Sequence, residues 1–163
     1  MTGVRTARPD DARELVRLRR LMFLGMHGRD EPGPWEQDAV RMACRRLDRD
    51  LPGGERLGAF VVDGDQPGPP HLAACAVGSV EERLPAPKHP AGNFGFIFNV
   101  CTDERYRGRG YARATTEALL AWFAERGVTR VDLHSSADAE HLYRSMGFRE
   151  HSIALSIDLS RRG

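Results

Sequence analysis

Three arginines and two glycines fall within six consecutive positions, Arg105-Tyr106-Arg107-Gly108-Arg109-Gly110, between an apolar run at 94–102 and the strongest helical pattern in the chain. A strand that passes through such a segment into a helix has the makings of an anion cradle. Gly108 and Gly110 let the main chain approach a ligand closely, and the first-turn N–H groups of a helix have no intrahelical partner. The helix dipole places roughly half a positive charge at that end, and Arg105, Arg107 and Arg109 add whole charges beside it. A diphosphate is the natural guest. Taken alone, a charge run is more often a solvated turn. Its position between strand and helix favours the cradle.

Other chemistries are poorly served. The only lysine, Lys88, lies in a Pro-rich stretch at 85–92, so no Walker lysine follows a glycine loop. A dinucleotide fingerprint begun at Gly108 meets Arg113 at its third glycine position, and the ~30 residues after Asp132 are too few for the second half of a doubly wound sheet. With 24 basic against 23 acidic side chains, the net charge of +1 removes the basic excess on which non-specific nucleic-acid binding rests. Cys44, Cys75 and Cys101 are far apart, with no Cys-x-x-Cys spacing. They read as buried small apolar residues, and neither a disulfide framework nor a metal site is expected. No apolar run approaches the ~20 residues a bilayer needs, and residues 1–11 lack a signal-peptide core. The expected address is the cytoplasm, with no membrane partner.

The 163 residues fit one domain, 1–163, of mixed α/β class. Residues 4–7 read as a strand, and Asp11 and Glu14 have capping-box spacing ahead of Leu15, Leu18 and Met22. A second helix is expected over 35–47. Strands at 57–62 and 72–80, separated by a Pro- and Gly-rich turn at 63–70, read as an antiparallel hairpin. After a surface loop at 85–92, residues 94–102 suit a central strand. Ala112, Thr116, Leu119, Leu120 and Phe123 then mark one helix face, which Gly127 closes. Residues 128–133 form a short strand, Ser136 caps a helix running to Met146 with Gly147 at C′, and 151–159 supply a last strand.

Asn99-Val100-Cys101-Thr102 leading to Arg-x-x-Gly-x-Gly at Arg105, Gly108 and Gly110, then His134-Ser135-Ser136 and Leu142-Tyr143-x-x-x-Gly147-Phe148, resembles the GNAT superfamily of N-acetyltransferases over 94–150. The resemblance implies the GNAT acyl-CoA N-acyltransferase fold, a mixed, mostly antiparallel sheet of about six to seven strands flanked by about four helices. It implies acetyl-CoA as cosubstrate, its pyrophosphate on the amides of Arg107, Gly108, Arg109, Gly110, Tyr111 and Ala112. The pantetheine arm would run beside Val100 and Thr102, with Ser136 near it and Tyr143 directed at the thioester sulfur. Glu104 stands where the family often has proline, Thr102 where it often has valine, and Ser136 where many members have asparagine. A carboxylate at Glu104 beside phosphates is unfavourable unless Arg105 or Arg107 pairs with it.

Acetyl transfer to an amine needs a neutral nucleophile, yet an alkyl ammonium of pKa near 10.4 is protonated at neutral pH. Tyr143 is the candidate acid for the departing thiolate, although a tyrosine beside Leu142 and Met146 also suits a core edge. No base is legible: 94–98 offers no carboxylate or histidine, leaving a water chain, Asn99, or Glu81, Glu82 and His89 as positional candidates. Phe23, Met26 and Trp35 could line an acceptor pocket or belong to the core. The expected partner is a small-molecule or peptide amine. Ile153 to Ile157 suits a sheet edge in a homodimer or one covered internally. The alternative to an enzyme is a non-catalytic coenzyme A-binding or sensing module.

Overall fold

Near-continuous runs of small and apolar side chains build the sheet. In β3 (Leu72–Glu82), residues 72–77 are all buried, which requires cover on both faces and makes this strand central. It pairs antiparallel with β2 (Leu57–Asp63) and with β4 (Asn93–Thr102), and β2 carries the short β1 (Val4–Thr6) on its far edge. The fifth strand, β5 (Arg130–Leu133), lies parallel to β4, giving the order β1-β2-β3-β4-β5. The crossover between them is α3 (Tyr111–Glu125). A computed structural model describes residues 3–67 and 71–161, in two compact units, Met1–Leu133 and His134–Gly163.

In the first unit, α1 (Ala12–His27) and α2 (Trp35–Leu47) cover one sheet face, where Leu15, Leu18 and Leu47 meet Leu57, Val61, Cys75 and Val77. The other face takes α3 on a stripe of glycines. A Cβ on Gly58 would lie 2.6 Å from Trp122 Cε3, and one on Gly95 2.9 Å from Phe123 Cε1. On Gly78 it would lie 2.7 Å from the Phe96 carbonyl and 2.9 Å from Phe123 Cζ. Bare backbone thus sets how closely α3 sits. Gly78→Ala is expected to lose about 2 kcal/mol through overpacking, read as a fall in Tm of roughly 4–8 °C.

Most elements stand where the pattern puts them, but the capping box does not form. The Asp11 carboxylate accepts from the Arg8 amide and from Arg5, while Glu14 Oε1 accepts from the His71 and Leu72 amides at 2.7 and 2.9 Å. Glu14 therefore tethers the start of β3 to α1. The turn expected over 63–70 is described only up to residue 67, and 68–70 lie outside the described residues. In the loop at 85–92, Ala86 and His89 exchange two backbone hydrogen bonds around Pro87 and Lys88, leaving Lys88 exposed at the tip. Cys44 is exposed rather than buried.

The second unit is sparser than expected. Its helix, α4 (Glu140–Ser145), starts four residues after Ser136. Ser136 is exposed and caps nothing; its carbonyl accepts from Ser135 Oγ and from the Ala139 amide, a local turn that competes with helix. Gly147 closes α4 at φ 103°, as read from the sequence. The last strand, over 151–159, does not form. Ile153, Leu155, Ile157 and Leu159 are 85, 89, 68 and 67% exposed in chain that pairs with no strand among the described residues. Alternation makes a segment fit for a sheet, but a ladder also needs a neighbouring edge. The described sheet accordingly has five strands instead of six or seven.

Candidate active site

The sheet opens at β4. Its register against β3 jumps from Val77↔Asn99 to Gly78↔Ile97, so Phe98 is an extra, bulged residue. On the other side the parallel ladder with β5 ends at Ile97↔Leu133. From 98 to 102, β4 is held by β3 alone, and its second edge meets no strand among the described residues. Val100 and Thr102 lie on this open stretch, both half-buried.

Asp103 ends the strand and organises the turn into the glycine segment. It is buried, and its Oδ2 accepts from Arg17 Nη1 at 2.7 Å and from Arg105 Nη2 at 3.1 Å. Its Oδ1 accepts from the Arg105 amide at 3.0 Å and Arg105 Nε at 3.1 Å, which caps the short 3₁₀ turn Glu104–Tyr106. Arg17 is also bound by Glu14 and donates to the Leu72 carbonyl. Residues from α1, β3 and β4 thus hold the entrance to the glycine segment. Buried Tyr106 donates to Asp65 Oδ1 at 2.9 Å and accepts from the Asp65 amide, tying the β2–β3 loop to the same turn.

Of the three arginines, Arg105 is engaged by Asp103 through its amide and two side-chain nitrogens, and Glu104 stays unpaired among the described residues. Arg109 lies over the Tyr106 ring at 5.1 Å and 3.7 Å from Asp65. Arg107 is exposed and forms no ion pair among the described residues. Gly108 and Gly110 have φ of 79° and 80°, and a Cβ at either would meet nothing within 4 Å. Gly110 is the N-cap of α3 with no side-chain cap, so the first-turn amides of Tyr111 and Ala112 have no intrahelical partner and no side-chain cap. The sequence marks this glycine turn. Its braces, Asp103, Arg17, Glu14 and Tyr106, went unmarked, and Arg17 meets Asp103 across 86 positions with no local pattern to signal it.

Hydrogen bonds from Arg105 and Arg17 hold the Asp103 carboxyl well below the ordinary range. Burial alone pushes Glu14 upward, but bonds from Arg17 and the Leu72 and His71 amides outweigh it and leave that carboxyl low as well. A depressed folded pKa contributes stability that is complete above the unfolded value near 4 and lost as pH falls through the folded one. Thermal unfolding is therefore expected to lose Tm below about pH 4. Asp103→Asn should be about 2 kcal/mol less stable at neutral pH, discounted for the part-exposed arginines, with the gap narrowing towards about pH 2. An equal gap at both ends would place its effect outside these ion pairs.

Cys75 and Cys101 are poor nucleophiles. Burial pushes Cys75 up to about 12 and Cys101 up to about 11, so both are protonated at neutral pH. Glu81 pairs with Arg83, Glu82 with Arg56, and His89 with Thr129. All three sit by the start of β4, ~20 Å from Val100 at ~3.3 Å per residue. They are not placed to serve as a base there. Among the described residues no group of His, Cys, Asp and Glu could hold a metal, and no helix is long and apolar enough to cross a membrane.

Tyr143 and Ser136 belong to the second unit. Tyr143 lies on α4, 7% exposed, with its ring T-shaped to Phe148 at 5.7 Å. Its hydroxyl makes no hydrogen bond to the described residues, and burial raises its pKa above the ordinary 10.

A sheet that opens beside a glycine cradle invites comparison with known proteins. The sequence model of the acetyltransferase (GNAT) family matches residues 20–148, and the chain belongs to that family. Over 73 residues it is 34% identical to YycN, an uncharacterised N-acetyltransferase of Bacillus subtilis, a match covering 43% of this chain and 46% of that one. The chain thus spans less than half the length of that curated relative. A predicted acetyltransferase of Clostridium acetobutylicum, solved with acetyl-CoA, shares the fold at TM-score 0.80 and 21% identity over 98% of this chain and 97% of that one. A GCN5-related N-acetyltransferase of Ralstonia eutropha aligns at TM-score 0.72 and 26% identity, covering 98% and 99%. Glucosamine-6-phosphate N-acetyltransferase of Arabidopsis thaliana aligns at 0.74 and 20%, also covering 98% and 99%.

Proposed function

We propose that the protein transfers acetyl from acetyl-CoA to a primary amine of a small molecule or protein, by direct attack of the amine on the thioester. The observation that carries this reading is continuity: the open edge of β4 at 98–102 runs straight into the uncapped, glycine-lined start of α3. The pantetheine amides pair with the main chain beside Val100 and Thr102, as an added strand would. The pyrophosphate accepts from the amides of Arg107, Gly108, Arg109, Gly110, Tyr111 and Ala112, with the Arg107 side chain as counter-charge. Arg105 acts by bracing Asp103. Ser136 lies along the pantetheine.

The thioester carbonyl gains negative charge as the amine attacks, and a main-chain N–H near Val100 stabilises it. Tyr143 donates its proton to the departing sulfur, for which a phenol held protonated by burial is suited. Protonated Cys75 and Cys101 favour direct attack over an acyl-cysteine intermediate.

The absence of a carboxylate or histidine over 94–98 favours one other reading, a coenzyme A-binding module without catalysis. Free thiol released from acetyl-CoA across a panel of amines separates the two. Turnover with any amine supports the enzyme. Tight coenzyme A binding with no turnover supports the module, and no binding at all overturns both.

A further inference from the structure

The four arginines of α1 meet three different fates. Arg13 is exposed. Arg17 is neutralised by Glu14 and Asp103, and Arg20 by Asp30 and Glu36. Arg19 is half-buried, yet no carboxylate among the described residues pairs with it. Its guanidinium lies over the rings of Phe23 at 4.8 Å and Phe98 at 5.8 Å, and Nη1 donates to Asn99 Oδ1 at 3.0 Å. That is its one hydrogen bond among the described residues, out of five N–H donors. Burial draws its pKa downward, opposed only by the neighbouring Cys75 and by no carboxylate. Arginine nevertheless stays charged, and even partial desolvation without a counter-ion disfavours the cation.

The place of this cation in the fold gives it a use. Asn99 directly precedes Val100, and Phe98 is the bulged residue at which the second edge of β4 becomes free. Asn99 is itself held, its Nδ2 donating to Cys75 Sγ, so it fixes the guanidinium at the head of the open stretch. Phe23 extends the surface into an aromatic wall, T-shaped to Trp35 at 5.9 Å. A charged fork framed by apolar rings suits a ligand with an anionic group and an apolar body.

We propose that Arg19 recognises the acceptor, and that the acceptor is an amine that also carries a carboxylate or phosphate, held by the Arg19 guanidinium with its apolar part against Phe23 and Phe98. The inference rests on the thioester reading in one respect, that the acyl donor lies along the free edge of β4.

Matched amines test it. Thiol release from acetyl-CoA is compared for L-phenylalanine against phenethylamine and for O-phosphoethanolamine against ethanolamine. At least one anionic member is expected to show a kcat/KM tenfold or more above its neutral partner, and the pair that does so identifies carboxylate or phosphate. Arg19→Gln should reduce that advantage to about twofold, mainly through KM, while leaving the neutral amine and coenzyme A affinity unchanged. Arg19→Lys, which keeps the charge without the fork, should fall between and covers the case in which Arg19→Gln does not fold. The proposal is overturned if neither anionic amine is preferred, if the preference survives Arg19→Gln, or if that variant loses coenzyme A affinity tenfold, which would assign Arg19 to the donor. Calorimetric titration of the same four amines keeps the two readings apart. Coenzyme A binding without anion preference sinks only the acceptor assignment, and anion preference without coenzyme A binding sinks only the thioester reading.

Discussion

Gly110→Asp is expected to weaken coenzyme A binding more than tenfold by calorimetry, a loss above ~1.4 kcal/mol. Gly108→Asp should behave alike. The reason is not crowding in the free protein, since a Cβ at either position meets nothing within 4 Å. Backbone conformation contributes first: φ of 80° at Gly110 costs an L-residue about 1–2 kcal/mol, less for Asp and Asn than for most. Charge contributes the rest, because the new carboxylate would stand beside the uncapped start of α3, where the proposed function puts the pyrophosphate. Gly110→Asn separates the two causes, having the same shape and the same tolerance of positive φ without the charge. It should lose affinity only a few-fold. Equal losses for Asn and Asp would assign the effect to the backbone, and full affinity in the Asp variant would remove the pyrophosphate from this segment.

Tyr143→Phe is expected to lower kcat about 100-fold, the lower end for removal of a general acid, with coenzyme A affinity and Tm unchanged. The structure makes this a clean substitution. The hydroxyl makes no hydrogen bond to the described residues, and the ring contact with Phe148 survives in phenylalanine. A merely structural Tyr143 would therefore leave kcat intact, and that result would sink its role as acid. The pH profile carries the same information. Because burial raises the phenol above its ordinary value of about 10, its loss of a proton falls on the far alkaline side. Across neutral pH the rate should instead rise with pH as the acceptor ammonium is deprotonated.

The elements most legible in the sequence were those whose stability is local. α2 follows from its apolar spacing after a Pro-Gly-Pro break, and α3 from one apolar face closed by Gly127. The glycine turn at 108–110 was legible because its parts are contiguous and positive φ at both positions demands glycine. What went unread depends on partners far along the chain. Glu14 looks like a capping residue until β3 presents the His71 and Leu72 amides to it, and Asp103 looks like a turn residue until Arg17 arrives from α1. Arg19 carries no mark in one dimension, since its want of a counter-ion is a property of the folded neighbourhood. The segment 151–159 failed in the opposite direction, its alternation matching a strand although it pairs with none among the described residues.

The exposed tip between Ala86 and His89 holds the only lysine of the chain. For a protein read as modifying amines, that confines self-labelling on lysine to one chemically accessible position, Lys88. A Lys88→Arg chain would contain no lysine, at a hairpin tip where arginine is readily accommodated. Mass spectra of acetyl-lysine from mixtures with other polypeptides would then report those polypeptides alone, free of any background from the enzyme itself.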